Sequence, residues 1–399
     1  MSLAPVFLKQ YVAKQTPLSS RSPSNIKRHT KIWVLKICCL ALIYIAGLGS
    51  AHAQQEYIRI SEYLQKNSDQ ARTMEQFSKQ VRQAAIPIKA ELQNGKPVRI
   101  AVIYPAIQSS DYWHRSTAAF EARLKELKVP YQLNTFYSRP SVDLSLQAEH
   151  LAEAIKWQPD YLVFTMDALR HRSMIERILI RGKPKLILQN VTTPLKIWQS
   201  RRPFLYVGFD HEMGSNILAE RLSELTEGSG KYLMLYFSRG YVSQMRGDTF
   251  VQHMMQYPEV KQVASYFTDG NRKKSYLATL DTLNEHPDLK FIFACSTDIA
   301  LGALDALREK NLIGKIKVNG WGGGSAELTA IKEKELDLTV MRLNDDNGVA
   351  MAEAIRLDIE KQNIKVPHIY SGDIRLVEKS MSNKQLEELQ KQAFRYSEQ

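Results

Sequence analysis

Val98-Arg-Ile-Ala-Val-Ile-Tyr104, entered from Lys96 and left toward Gln108, Ser110 and Trp113, is the stretch on which the fold turns. Its near-continuous apolar character suits a strand covered on both faces, as in a parallel sheet. Behind it, Ser116 to Lys128 places Phe120, Leu124 and Leu127 at i, i+4 and i+7, one apolar helix face. The unit then recurs. Tyr161 to Thr165 precedes Ser173 to Ile180, Leu205 to Phe209 precedes Gly214 to Leu225, and Phe291 to Ala294 precedes Ile299 to Lys310. Strand alternating with amphipathic helix predicts an α/β chain of parallel sheets with right-handed crossovers.

Further β-rich runs lie at Tyr131 to Tyr137, Lys185 to Leu188, Tyr232 to Phe237, Val263 to Phe267, Ile316 to Val318 and Leu338 to Met341. Polar or aromatic residues stand at or near the ends of many runs: Gln108, Ser110, Trp113, Asp167, Asn190, Arg246, Thr297, Trp321 and Arg342. Ligands of open parallel sheets sit outside the carboxyl ends of the strands, so these nine are the candidate contacts.

The first crossing between two units is expected near Gly208. Gly320-Trp-Gly-Gly-Gly324 and the segment around Met341 would supply two more, with glycines absorbing the backbone change of a hinge. The predicted division is a first lobe of residues 54–208 plus about 322–340, and a second of 209–321 plus about 341–399. Gln54 to Gln93 is polar and helical in period, an N-terminal extension packed on the body; Glu378 to Gln392 reads as a charged terminal helix with Met381, Leu386 and Leu389 inward.

Ahead of this body stand basic, Ser-rich sequence, an apolar stretch from Ile37 to Gly47, and Ala51-His52-Ala53, a small-x-small cleavage pattern. Residues 1–53 therefore read as a secretory signal peptide, which makes the mature chain an export to the periplasm. That segment carries seven Lys or Arg and no acids, so its removal lowers the formal charge from +12 to +5. The remainder has no dense basic run or stacking motif, which argues against a nucleic-acid partner. Cys295, inside an apolar run, reads as a buried structural thiol.

Trp113 and Trp321 suit the apolar face of a sugar-like ring, although each alone is also read as core. Arg246 and Arg342 follow buried stretches, where a guanidinium is costly unless acceptors receive it. Either an anionic ligand or ion pairs with Asp248, Asp345 or Asp346 would satisfy them. Asp167 and Asn190 are open between ligand contact and turn or helix cap, Gln108, Ser110 and Thr297 are equally ambiguous alone, and Asp298 reads as capping. Arg246-Gly-Asp248 spells an adhesion tripeptide, a weak match. Gly322-Gly-Gly324 lacks the Lys-Ser/Thr of a phosphate loop, no nucleophile elbow appears, and the histidines are not at metal-ligand spacing, so no enzyme, cofactor or metal is expected.

Tyr104-Pro with Ser110-Asp-Tyr-Trp113, Leu186-Ile-Leu-Gln-Asn190, Tyr206-Val-Gly-Phe-Asp210, Ala294-Cys-Ser-Thr-Asp298 and Asn319-Gly-Trp-Gly-Gly-Gly-Ser-Ala-Glu-Leu328 carry a resemblance. The chain resembles periplasmic binding proteins of the ribose-binding type and, within them, autoinducer-2 receptors of the LuxP type. The resemblance implies a type I fold of two Rossmann-like lobes with parallel sheets joined by a three-stranded hinge. It also implies a quorum-sensing ligand, autoinducer-2 as its furanosyl borate diester, held by the nine candidates, with the two arginines on the borate. The implied partner is the periplasmic domain of a LuxQ-like sensor histidine kinase. The nearest alternative is an ABC-transporter-associated sugar-binding protein, ribose- or galactose-like, with a permease partner.

Overall fold

A computed structural model describes residues 56–166 and 168–398. The expected leader, residues 1–53, and Asp167 lie outside the described residues. Twelve strands are formed among them: β1 (Val98–Tyr104), β2 (Tyr131–Tyr137), β3 (Tyr161–Phe164), β4 (Lys185–Gln189), β5 (Leu205–Phe209), β6 (Ser229–Tyr236), β7 (Glu259–Phe267), β8 (Leu289–Ala294), β9 (Lys317–Val318), β10 (Leu338–Arg342), β11 (Ile369–Gly372) and β12 (Ile374–Glu378).

Six of them make a parallel sheet in the order β11-β5-β4-β3-β1-β2. Four make a second parallel sheet, β7-β6-β8-β9. β10 and β12 pair antiparallel, and parallel bridges Asn319↔Leu338 and Gly322↔Met341 continue the second sheet toward them. β1 is buried from Ile100 to Tyr104, as its apolar run requires, because β3 and β2 flank it and helices cover its faces. The architecture is thus the α/β fold of two lobes read from the sequence.

Three connections join the lobes: Phe209 to His211, Arg342 to Asp345, and Gly372 to Ile374. The strand pairing differs from the expected division in the last third of the chain. Residues 322–340 stay with the second lobe, because β10 aligns beside Asn319 and the helix Ser325–Lys332 packs near the helix Thr297–Glu309. The helix Asp345–Ile359 packs on Tyr112–Glu126, and β11 joins β5, so much of 341–399 belongs to the first lobe. Gly320–Gly324 is accordingly a turn within the second lobe.

The N-terminal extension forms helices Ile60–Lys66, Ser68–Arg82 and Ala90–Gln93. Phe77 and Val81 are its buried anchors, Phe77 meeting the Tyr370 ring edge-on at 5.8 Å. At the other end Ser382 and Gln385 form a capping box that starts the helix Asn383–Ala393, with Leu386 inward.

Candidate functional site

The loops leaving β1, β4, β6, β8, β9 and β10 converge on one cavity between the sheets, with about 450 Å³ not filled by protein atoms. Gln108, Ser110, Trp113, Asn190, Arg246, Thr297, Trp321 and Arg342 all line it. These are eight of the nine sequence candidates. Asp167, the ninth, lies outside the described residues.

Each arrives by a local device. Asn190 ends β4 in the left-handed region, φ +64°, which Asn tolerates better than most residues. That turn leaves its buried Oδ1 without a hydrogen-bond partner, an acceptor for a ligand hydroxyl. Trp113 rides the first turn of the helix Tyr112–Glu126, its ring 4.6 Å from Tyr104 and 4.7 Å from Tyr112. Arg246 sits on a π-helical turn, Ser243–Asp248, whose wider winding carries it inward. Arg342 is the last residue of β10.

Both guanidinia are buried, 4% and 5% exposed. Arg246 donates from Nε to His211 Nδ1 at 2.8 Å and from Nη1 to the Cys295 carbonyl at 2.8 Å, and lies 3.7 Å over the Trp321 ring. Arg342 lies 3.8 Å over Tyr112, and its Nε has no hydrogen-bond partner. The expected ion-pair partners are committed elsewhere. Asp248 accepts from Tyr236, Asp345 from Tyr396 and Ser397, and Asp346 from Arg395. Neither arginine has a carboxylate partner among the described residues. Burial, then the Arg342 charge, pulls Arg246 down to about 9, and burial pulls Arg342 below the ordinary arginine value.

Trp321 is a fixed wall, 1% exposed. His211 stacks on it at 5.1 Å, Trp321 Nε1 donates to Ser215 Oγ at 3.1 Å, and the Trp321 backbone N donates to Glu327 at 3.0 Å. Glu327 also accepts from Gly323 N at 2.7 Å and Thr339 Oγ1 at 2.5 Å, which holds the glycine turn in one shape. Gly322 adopts φ +146°, and a Cβ there would stand 2.6 Å from Arg342 Nη2.

Sequence reasoning missed Tyr112, Ser296 and His211. His211 was passed over as a metal ligand, yet it directly follows β5 and its neighbour Asp210, a strand-end position like the others. Burial and the Arg246 charge hold its imidazole neutral, with Nε2 donating to the Asn190 carbonyl at 3.2 Å and Nδ1 accepting from Arg246. Asp298 does not cap its own helix. It accepts from Ser109 N at 3.0 Å, across the cleft. Similar ties join Ser325 Oγ to Asp111 at 2.7 Å and Tyr241 to Thr193 at 2.9 Å. The Arg246-Gly-Asp248 tripeptide is excluded as an adhesion motif by the burial of Arg246. Cys295 is buried and its thiol raised by desolvation, which fits a structural role.

The family model that describes the periplasmic binding protein domain matches residues 100–362. The ribose import binding protein RbsB of Salmonella typhimurium is 27% identical over 173 residues, 43% of this chain and 57% of that protein. The chain therefore aligns with somewhat more than half of that relative. The D-ribose/D-allose-binding protein of Pseudomonas aeruginosa is 24% identical over 59% of this chain and 74% of its own length. Among solved structures, an ABC transporter periplasmic solute binding protein from Actinobacillus succinogenes with bound D-allose superposes with a TM-score of 0.63 at 22% identity, covering 73% of this chain and all, 100%, of that one. An Agrobacterium vitis solute binding protein with D-fucose gives 0.65 at 16% identity, over 72% of this chain and 98% of that one. At these identities the superpositions establish the fold.

Proposed function

The chain belongs to the periplasmic binding protein domain family, and from that premise we propose that it is an extracytoplasmic receptor closing on a small, oxygen-rich, carbohydrate-like ligand. The observation that carries this reading is the cavity itself: two buried guanidinia, two indoles and an unpartnered Asn190 amide oxygen face one space between the sheets. Indole faces take the C–H side of a ring, and the polar groups take its oxygens. Among the described residues no helix is long and apolar enough to cross a membrane.

Two finer readings divide on ligand charge. The arginine pair favours an anion, because a neutral ligand leaves two buried cations uncompensated. Together with the motif resemblance, that supports autoinducer-2 as its furanosyl borate diester and a LuxQ-like sensor histidine kinase as partner. The relatives' names, ribose import binding and D-ribose/D-allose-binding, favour the other reading, a transport-linked receptor for a neutral sugar with a permease partner. The test is the thermal midpoint with dihydroxypentanedione, with and without boric acid, and with ribose. A ligand at about 100 times its Kd stabilises by about 2.7 kcal/mol. A shift that needs precursor and borate together supports the anion; a shift with ribose alone makes the chain a sugar receptor.

A further inference from the structure

Away from the cleft, a second cavity with about 690 Å³ not filled by protein atoms opens where the N-terminal extension meets the first lobe. Tyr63 comes to it from the helix Ile60–Lys66, Leu195 and Trp198 from the segment after β4, and Arg202 and Tyr206 from the entry to β5. His368 comes from the entry to β11. Tyr63 and His368 lie outside the span 100–362 matched by the family model, so this cavity depends on segments beyond the matched domain.

Its roof is held firmly. The Tyr63 hydroxyl and His368 Nδ1 are 2.5 Å apart, and the His368 carbonyl accepts from Tyr206 N at 2.9 Å. Burial, aided by the Arg202 charge, pulls His368 down to about 4, so its ring is neutral and Nδ1 accepts from Tyr63. Tyr206 is 1% exposed, and its hydroxyl proton has no acceptor. Arg202 lines the same space without a carboxylate partner among the described residues. Trp198, Leu195 and Pro194 make one wall apolar, and the side chains of Asn67 and Gln199 line the rest. A buried donor and an exposed guanidinium beside one apolar wall select an anion carried on a small body with an apolar face.

We propose that this seam cavity is a second ligand site, for a small organic carboxylate with an aromatic or short aliphatic body. The carboxylate oxygens accept from the Tyr206 hydroxyl and the Arg202 guanidinium, and the body packs on Trp198 and Leu195. The site is separate from the cleft and does not rest on the reading of the cleft.

Benzoate is the probe and benzyl alcohol the uncharged control, each titrated calorimetrically into the purified full chain with no cleft ligand added. Saturable benzoate binding is expected, with benzyl alcohol at least tenfold weaker. Tyr206→Phe and Arg202→Gln should each weaken benzoate by roughly tenfold or more, the scale of a hydrogen bond to a charged group. Arg202 is exposed, so Arg202→Gln keeps the test open should Tyr206→Phe fold poorly. Arg342→Gln, in the cleft, should leave benzoate binding unchanged. The proposal is overturned by absent benzoate binding, by equal binding of benzyl alcohol, by affinity that survives both seam substitutions, or by its loss in Arg342→Gln.

Discussion

Replacing Arg342 with Met separates a ligand-directed arginine from a structural one, because the two expected effects have opposite signs. Arg342 is 5% exposed, its Nε has no hydrogen-bond partner, and its guanidinium rests 3.8 Å over Tyr112. A cation–π contact returns about 0.5–2 kcal/mol. Withdrawing the cation from water costs several kcal/mol on the scale of buried ions, so the ligand-free fold holds this charge at a loss. Methionine keeps the unbranched body and removes the charge, and should raise ligand-free stability by about 1–3 kcal/mol. With an anionic ligand the same change removes one side of a buried charge pair and should weaken binding by about 2–5 kcal/mol. With a neutral sugar the loss should be only about 0.5–1.5 kcal/mol. Urea unfolding without ligand and calorimetric titration with dihydroxypentanedione and borate read the two effects. A ligand-free protein that loses stability while its affinity stays unchanged refutes the reasoning and makes Arg342 a structural cation.

Gly214→Ala should weaken cleft binding about tenfold while leaving the fold intact, because the added Cβ would stand 2.7 Å from Trp321 Cζ2 and push the indole into the cavity; titration with the cleft ligand checks it. Glu327→Gln should cost about 1.5–3 kcal/mol in urea unfolding, since the carboxylate accepts from Trp321 N, Gly323 N and Thr339 Oγ1 and the amide replaces one acceptor with a donor. Acid stability should carry the mark of His211, whose folded pKa is held well below 6.5 by burial and by Arg246. Below about pH 6.5 the unfolded chain takes the proton and the folded chain does not, so stability is full above that pH and falls on acidification, by up to about 1.4 kcal/mol per pH unit. His211→Gln should flatten that slope; an identical slope would mean that other groups set it.

What was legible in the sequence follows from what burial demands locally. The central strands were readable because strands covered on both faces must be apolar throughout, and Ile100 to Tyr104 or Phe291 to Ala294 admit little else, whereas the edge strands β2 and β7 were readable from their β-branched and aromatic residues. β11 and β12 were missed because Ile369-Tyr-Ser-Gly372 is too short to show a period and Ile374-Arg-Leu-Val-Glu378 is broken by charged residues. The return of the chain to the first lobe was misplaced for a related reason. Glycines at Gly320–Gly324 look like a hinge, but Glu327 fixes them as a turn, and only the pairing of β11 with β5 reveals which sheet the tail completes. The site was legible where a costly residue type stands at a strand end, as with Arg342, but its alternative reading as an ion pair is removed only by the structure, which commits the three carboxylates to other partners. His211 was hidden because a histidine without ligand spacing signals nothing until its stacking on Trp321 and its bond to Arg246 are seen.

Those bonds also set the energetics of closure. Ser109 to Asp298, Ser325 to Asp111 and Tyr241 to Thr193 tie the lobes across the cleft, and such bonds contribute about 0.5–1.5 kcal/mol each, about 1.5–3 where the acceptor is a carboxylate. Against them stands the burial of two guanidinia around one cavity, each pulled below its ordinary pKa and Arg246 further disfavoured by Arg342. The two contributions oppose one another in the balance between open and closed forms. A ligand shifts that balance only by its differential affinity for the closed form. An anion between Arg246 and Arg342 acts on the term that opposes closure, whereas a neutral sugar adds hydrogen bonds and leaves the repulsion in place. Weakening a latch by Ser109→Pro, which removes the N–H that Asp298 accepts, should therefore lower affinity for either ligand by a similar factor. Removing an arginine charge should lower affinity much more for the anion than for the sugar, and equal losses for the two would place the arginines outside the closing balance.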